Sequence, residues 1–383
     1  MRLRKESEKI GKRRNLLLEL IVILAGLLYF RLFFYPGSLK ADLQVKVIEN
    51  KGKPTGNQIF CIEKELTIGK LNEGGSVFGM VSGLVVAADG RIFVLDSKDK
   101  KPKIFDSSGK MIMELGCGGQ GPGQWLFPAG LQLLSNQMLI TNDPGGRKLI
   151  YLDLEGNFLK EVSYAQKITA LMKFIMFEDG NRFIGMGMTL SGNVLSYDVA
   201  VHDADFSQLF KIDVLPVPLP VGGTKVNPFE FSCDFCLDRS GNIIYARANN
   251  YELRYFTPEG KLFKIVRKEY QPQPITRKDK EEILKMLPET PGFNVKEIVI
   301  FPDNFPAIKS FFLDEEERLY VCTYEKGKAP DSYIVDIFSR EAILIARSEF
   351  PGQGHVFKNG KLYIIEKDQE EFQYICRYRV NWR

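Results

Sequence analysis

Three observations predict an all-β fold behind a single apolar helix. The 34 glycines and 19 prolines are spread along the 383 residues, as many short strands joined by many turns require. A unit of strand, polar loop, strand and glycine turn recurs along most of the chain. Ahead of the first unit lies an apolar stretch, residues 16–35, interrupted only by Glu19 and Arg31.

The elements follow in order. Residues 1–15, MRLRKESEKIGKRRN, form a basic flank. At the helical rise, the length of 16–35 covers about 30 Å, enough to cross a bilayer's hydrocarbon core. The run Leu20–Phe30 also has the length of a cleavable signal peptide's apolar region. The bulky RLFFYPG after it offers no small-x-small cleavage pair and favours an uncleaved signal anchor. The basic flank then stays cytoplasmic, which predicts a single-pass cell-membrane protein with everything from about residue 40 extracytoplasmic. Residues 36–57 read as a linker.

Eight Lys/Arg within residues 1–37, against Glu6, Glu8 and Glu19, account for the formal charge of +4; the remainder holds 44 basic and 45 acidic residues. Without a basic stripe on its folded part, the chain is not expected to bind nucleic acid.

The repeat is clearest in DGRIFVLDSKDKKPKIFDSSGKMIMEL from Asp89 and SGNIIYARANNYELRYFTPEGKLFKIV from Ser240; Gly90 to Gly109 and Gly241 to Gly260 are both 19 residues apart. Weaker copies start at Ser135, Glu178, Asp314 and Lys358, which makes six units. Periods of roughly 40 to 50 residues with several strands each predict a six-bladed β-propeller over 58–383. The longest interval holds a helical insert near 276–288, with Thr276 as N-cap, Ile283, Leu284 and Leu287 on one face and Pro288 as stop; its proline-rich flanks place it outside the disc. The last unit offers three strand-like pieces, so QIFCIEKELTIGK from Gln58 is expected to supply a fourth and close the ring.

The D-x-x-G-x-I-x-V-x-D pattern, the loop GQGPGQW-x-x-P after the first unit, and the helical insert before Pro306 resemble the bacterial six-bladed β-propeller family related to NHL-repeat proteins. The resemblance covers roughly residues 58–383. It departs in the third unit, which lacks a clean closing turn, and in the fifth, where EEER replaces D-x-x-G.

The glycines at 116, 118 and 121 in GCGGQGPGQW match the spacing of a dinucleotide loop, but Pro122 and the following GQWLFP do not open a helix. Gly118, Gly119, Gly121, Pro122, Gly123 and Trp125 read instead as a tight crossing between blades, with glycines at positive φ and Trp125 or Phe127 filling the wedge. No cofactor is predicted.

Only two histidines, His202 and His355, occur, and no hydrolase elbow or zinc motif is present. Cys117, Cys233, Cys236 and Cys322 read as small core residues, while Cys61 and Cys376 form the one pair that ring closure is expected to approach. Polar residues recur in the loops after the first strand of each unit: Asp96, Asn142, Asp143, Arg247, Asn249, Tyr324 and Glu366. Gathered around the channel mouth they suit Ca2+ or a polar ligand; the same residue types also cap turn backbones. The expected function is a membrane-anchored binding or scaffold module for a protein, peptide or glycan. The alternative is a lactonase-like hydrolase or lyase with a divalent ion on the axis, which rests on fold analogy.

Overall fold

The computed structural model describes residues 44–383 except 57, 71–77, 116–117, 136, 192–193, 218–224, 288–294 and 330. The expected membrane span lies outside the described residues, within which no helix is long and apolar enough to cross a membrane.

Residues 46–383 form one unit whose described residues build six sheets, antiparallel except for one added edge strand. Strands β1 (Lys46–Asn50) and β2 (Phe60–Ile68) come first. Blade 1 is β3 (Val81–Val86), β4 (Ile92–Asp96), β5 (Lys101–Phe105) and β6 (Met111–Glu114); blade 2 is β7 (Ala129–Leu133), β8 (Leu139–Asp143), β9 (Lys148–Leu152) and β10 (Phe158–Ser163). Blade 3 is β11 (Ala170–Met176), β12 (Arg182–Ser191), β13 (Val194–Asp203) and β14 (Gln208–Val217). Blade 4 is β15 (Cys233–Leu237), β16 (Ile243–Arg247), β17 (Glu252–Phe256) and β18 (Leu262–Lys268). Helices α1 (Arg277–Met286) and α2 (Val295–Ile298) precede blade 5, which is β19 (Ser310–Leu313), β20 (Leu319–Lys326), β21 (Ser332–Phe338) and β22 (Leu344–Pro351). Blade 6 is β23 (Gln353–Lys358), β24 (Lys361–Lys367) and β25 (Gln373–Trp382), completed by β2. The repeat read from the sequence is therefore out of phase by one strand: the inner strand of each blade precedes the turn at which each unit seemed to start.

The six sheets are held as wedges. Along β4, alternate side chains point to opposite faces. Ile92 and Val94 pack with Tyr363, Ile365 and Ile375 of blade 6, while Phe93 and Leu95 pack with Leu139, Ile150 and Leu152 of blade 2. Because both faces are covered, β4, β8 and β9 are buried along their whole length, whereas the outer strand β6 is exposed throughout.

The D-x-x-G pattern has a local cause. In Asp106–Lys110 the carboxylate accepts the amides of Ser108 at 2.9 Å and Lys110 at 3.0 Å, and Gly109, at φ +87°, donates back to the Asp106 carbonyl. Asp153, Asp203, Asp238, Asp314 and Asp368 close their turns in the same i+2, i+4 manner.

Ring closure takes the expected form: β2 pairs with β25 from Phe60↔Trp382 to Ile68↔Ile375, and Ile59 and Arg383 exchange hydrogen bonds at 2.8 and 2.9 Å. The stretch 36–57 is not all linker, because β1 adds to blade 4 as a fifth strand parallel to β18. Its last residue, Asn50, donates to the Ala342 carbonyl at 3.0 Å and accepts from the Leu344 amide at 2.8 Å, and the Thr55 amide bonds the Leu344 carbonyl. Residues 46–68 thus strap the outer edges of blades 4, 5 and 6 in turn.

Thr276 caps α1 in a capping box with Asp279, as its position in the sequence suggests. The helix is tied to blade 5: Asp279 pairs with Lys326 at the end of β20, 3.5 Å away.

Deleting residues 58–70 should lower the thermal midpoint sharply and raise hydrogen exchange in Gln373–Val380. Ile68→Ala should cost about 2–4 kcal/mol, because this side chain is buried between blades 6 and 1. An unchanged midpoint and retained protection after the deletion would rule out closure by β2.

Candidate functional site

Strand direction sorts the loops. Turns after the first and third strands of each blade fall on one face and are mostly the tight Asp turns. Turns after the second strands, together with the connections between blades, fall on the other. That loop face carries the described parts of the long connections, 118–128, 225–232, 269–287 and 295–309.

The seven polar residues expected at the channel mouth sit at or just after the second strands, and six of them are tied by their side chains to neighbouring elements. Asp96 is wholly buried and accepts the amides of Gly79 at 2.8 Å and Met80 at 3.0 Å, where the chain enters blade 1. Asp143 repeats this with Leu126 at 3.0 Å and Phe127 at 2.8 Å at the entry to blade 2. Asn142 donates to the Leu171 carbonyl at 2.7 Å and accepts from Tyr164 at 2.8 Å, joining blades 2 and 3. Arg247 makes two 2.6 Å bonds to Asp213 of β14, joining blades 4 and 3. Glu366 accepts from Lys64 at 2.9 Å and from Tyr374 at 3.1 Å, holding the closing strand. Asn249 is exposed and bonds Tyr270 through its carbonyl. Tyr324 stacks on Phe305, centroids 4.5 Å apart. Among the described residues no three His, Cys, Asp or Glu converge as a metal site, and six of the seven residues expected to suit Ca2+ or a polar ligand are engaged with neighbouring elements.

Further ties, not legible in the sequence, run along the inner strands. Lys173 of β11 pairs with Asp234 of β15, whose other oxygen accepts the Phe311 amide of β19 at 2.8 Å. Gln132 of β7 accepts the Met176 amide at 2.8 Å.

In its described part, 118–128, the glycine loop is braced by its own hydrogen bonds. Gly119 donates to the Trp125 carbonyl at 3.0 Å and Gly121 to the Gln124 side chain at 2.9 Å; the chain then enters β7, not a helix. Trp125 is 1% exposed and fills the wedge between blades 1 and 2, with its indole N–H on the Lys100 carbonyl at 2.6 Å. Phe127, the other residue considered for that wedge, is 63% exposed. Gly121 was expected to need positive φ; the left-handed residue is Gly123, at φ +71°, where a Cβ would lie 2.9 Å from the Phe158 ring.

A cap covers part of the loop face at blades 4 and 5. The Val226 amide bonds the Ile298 carbonyl at 2.8 Å and the Ile300 amide bonds Val226 at 3.0 Å, so the segments entering these two blades hold each other. Beside them Phe229, Phe305 and Tyr324 form an aromatic cluster, and Lys309 lies 3.5 Å from the centroid of the Tyr333 ring. Burial pushes the Tyr324 phenol up to about 12, so it stays neutral at pH 7.

Cys61, Cys233, Cys236, Cys322 and Cys376 are free, and Cys117 lies outside the described residues. Ring closure does bring the strands of Cys61 and Cys376 together, but the register sets Cys61 opposite Asn381 and Cys376 opposite Thr67, too far apart for a disulfide. Cys322 Sγ lies 3.8 Å from His355 Nδ1. Burial pushes this thiol up to about 12 and the imidazole down to about 4, so the pair is neutral at pH 7 and does not form a thiolate–imidazolium nucleophile.

A family described as 6-bladed beta-propeller (DUF5128) matches residues 78–212. No curated protein matches the sequence. A candidate exported protein of Bacteroides fragilis NCTC 9343 superposes with a TM-score of 0.53 at 13% identity, over 88% of this chain and 100% of that one. A member of the DUF4221 family from Bacteroides vulgatus ATCC 8482 gives 0.52 at 10% identity, over 84% and 98%. Virginiamycin B lyase from Staphylococcus aureus gives 0.45 at 12% identity, over 84% and 99%. At these identities the likeness is one of fold.

Gly123→Val should cost about 1–3 kcal/mol through backbone strain, and Gly121→Ala clearly less, measured by denaturant unfolding; the reverse order would refute the assignment of strain. His355 should also mark the pH dependence of stability. Its folded pKa, about 4, lies below the ordinary 6.5, so its contribution is complete above 6.5 and is lost as pH falls towards 4. His355→Phe should flatten the unfolding free energy between those pH values, and an unaltered profile would contradict this.

Proposed function

We propose that the chain is a membrane-anchored, extracytoplasmic binding module that holds a protein, peptide or glycan on the loop face of its propeller. The observation that carries this reading is the asymmetry between the two faces. One is closed by minimal Asp turns, while the other bears the long connections and, at blades 4 and 5, a capped cluster of Phe229, Phe305, Tyr324 and Tyr333 with Lys309. Binding residues concentrate in loops displayed on a rigid frame, and aromatic rings with a nearby cation suit both peptide and sugar contacts. The basic flank and the apolar stretch 16–35 support the anchor and its direction. The export suggested for the Bacteroides fragilis relative is compatible with that location.

A photo-crosslinking residue in place of Lys326, whose side chain is 54% exposed beside Tyr333, should give a discrete adduct in membranes of the native host. The same residue in place of Asp106, on the turn face, should give none. Equal adducts from both positions, or none from Lys326, would refute binding at the loop face. Protease added to cells with any outer envelope opened should cleave the propeller; full protection would reverse the topology.

A further inference from the structure

Blade 3 carries a hollow of about 340 Å3 that belongs neither to the loop-face cluster nor to the ties described above. It is lined by Ile168, Gly187, Thr189, Asp198, His202 and Phe206, with Lys167, Ser207 and Gln208 at its rim. Its origin is the pair of ten-residue strands β12 and β13, in which Phe183↔His202, Gly185↔Ala200, Gly187↔Asp198 and Thr189↔Ser196 are paired. Side-chain alternation puts these eight residues on one side. Phe183 of this row packs against blade 2, while Ile184, Val199 and Val201 on the other side pack against blade 4. Along the row no side chain larger than a methyl stands at 185, 187 or 200. A Cβ at Gly187 would lie 2.9 Å from Ile168, so this glycine keeps the floor open.

The polar groups at the hollow define what it can take. His202 is 6% exposed and stacks on Phe183 at 5.0 Å, yet its Nδ1 has no hydrogen-bond partner. A buried polar atom left in that state costs stability. Burial lowers the pKa of the ring, which favours the neutral imidazole, and a hydroxyl group, being donor and acceptor at once, satisfies either tautomer. Asp198, also buried, is already neutralised by Lys211 at 2.5 Å and bonded by Ser196 at 2.8 Å. Lys167 is held by the Asp205 carbonyl and by the Ser207 hydroxyl at 3.1 Å. Asp198 is thus matched by Lys211, which leaves the floor without a free carboxylate for a cation, and the remaining charge, Lys167, stands at the exposed rim with its donors engaged. Mixed donors and acceptors beside the apolar Ile168 and Phe206 match a molecule with hydroxyls on its edges and C–H groups on its faces. The volume lies in the range of small-molecule pockets.

We infer that this hollow is a binding site for a neutral polyhydroxyl ligand: one sugar unit, free or at the end of a chain. It is independent of binding at the loop face, and either can fail without the other.

The full chain, in detergent, is titrated by calorimetry and saturation-transfer NMR with glucose, galactose, mannose and N-acetylglucosamine, with their β-linked disaccharides, and with inorganic phosphate and ethanolamine. At least one sugar should bind saturably, and His202→Phe and Asp198→Asn should each weaken it on the order of tenfold. A disaccharide binding more tightly than its monosaccharide assigns the site to a chain end, and equal affinity assigns it to a free sugar. Should His202→Phe lower the thermal midpoint, Thr189→Val carries the same test, because it keeps the shape and removes one hydroxyl. No sugar bound, sugar binding indifferent to these variants, or saturation by phosphate or ethanolamine alone would overturn the proposal.

Discussion

Burial on both sides of each sheet is the constraint on which this molecule depends. A four-stranded sheet whose middle strands read IFVLD or LITND has no face to give to water, so it is stable only between two neighbours. A row of such sheets leaves its end blades half bare until it closes into a ring. Closure therefore belongs to the core itself, and β2 supplies the outer strand of blade 6 while its Ile68 enters the wedge between blades 6 and 1. The strap continues backwards through Thr55 and Asn50 to β1 on blade 4, so that three successive blades are joined along their outer edges by one early stretch of chain.

The second organising device is electrostatic and local. Carboxylates at the ends of second strands capture the amides of the chain entering their own blade, as Asp96 and Asp143 do. Asp234 reaches one blade further, binding Lys173 of blade 3 and the backbone of blade 5. Acceptors placed this way satisfy backbone donors at the points where the chain crosses between blades and can pair with no strand. Polar residues recurring near the mouth of a ring are thus compatible with a purely architectural role, and the places left for ligands are those where polar atoms lack such partners.

The sequence was legible wherever the cause was local or periodic. Turns built on Asp, Asn or Gly are set within about five residues, which is why six units are legible before any strand pairing is known. Strand alternation in QIFCIEKELTIGK was enough to nominate the closing strand. The β1 strand escaped notice because KVIEN is short, and its pairing with β18 is a contact between residues more than two hundred positions apart. The Cys61–Cys376 expectation was sound about which strands meet and wrong about register, since a few residues of slip along a strand separate two thiols beyond bonding reach.

What the amino-acid sequence by itself determined is the repeat, the blade count, the helical insert with its Thr276 cap and the strand that closes the ring, because turns, caps and alternation are written in neighbouring residues. What only the tertiary structure decided is which polar side chains are used up in holding the ring and which remain available. Asp96, Asn142, Asp143 and Glu366 look the same in sequence as ligand-binding residues, and their partners come from another blade, from the chain entering their own, or, for Glu366, from the closing strand and its neighbour. Gly187 and His202 look ordinary until the β12–β13 register sets a bare floor beside an imidazole whose Nδ1 has no partner. Hydrogen-bond satisfaction is a property of three-dimensional neighbours, and those are fixed only when six wedges meet around one axis.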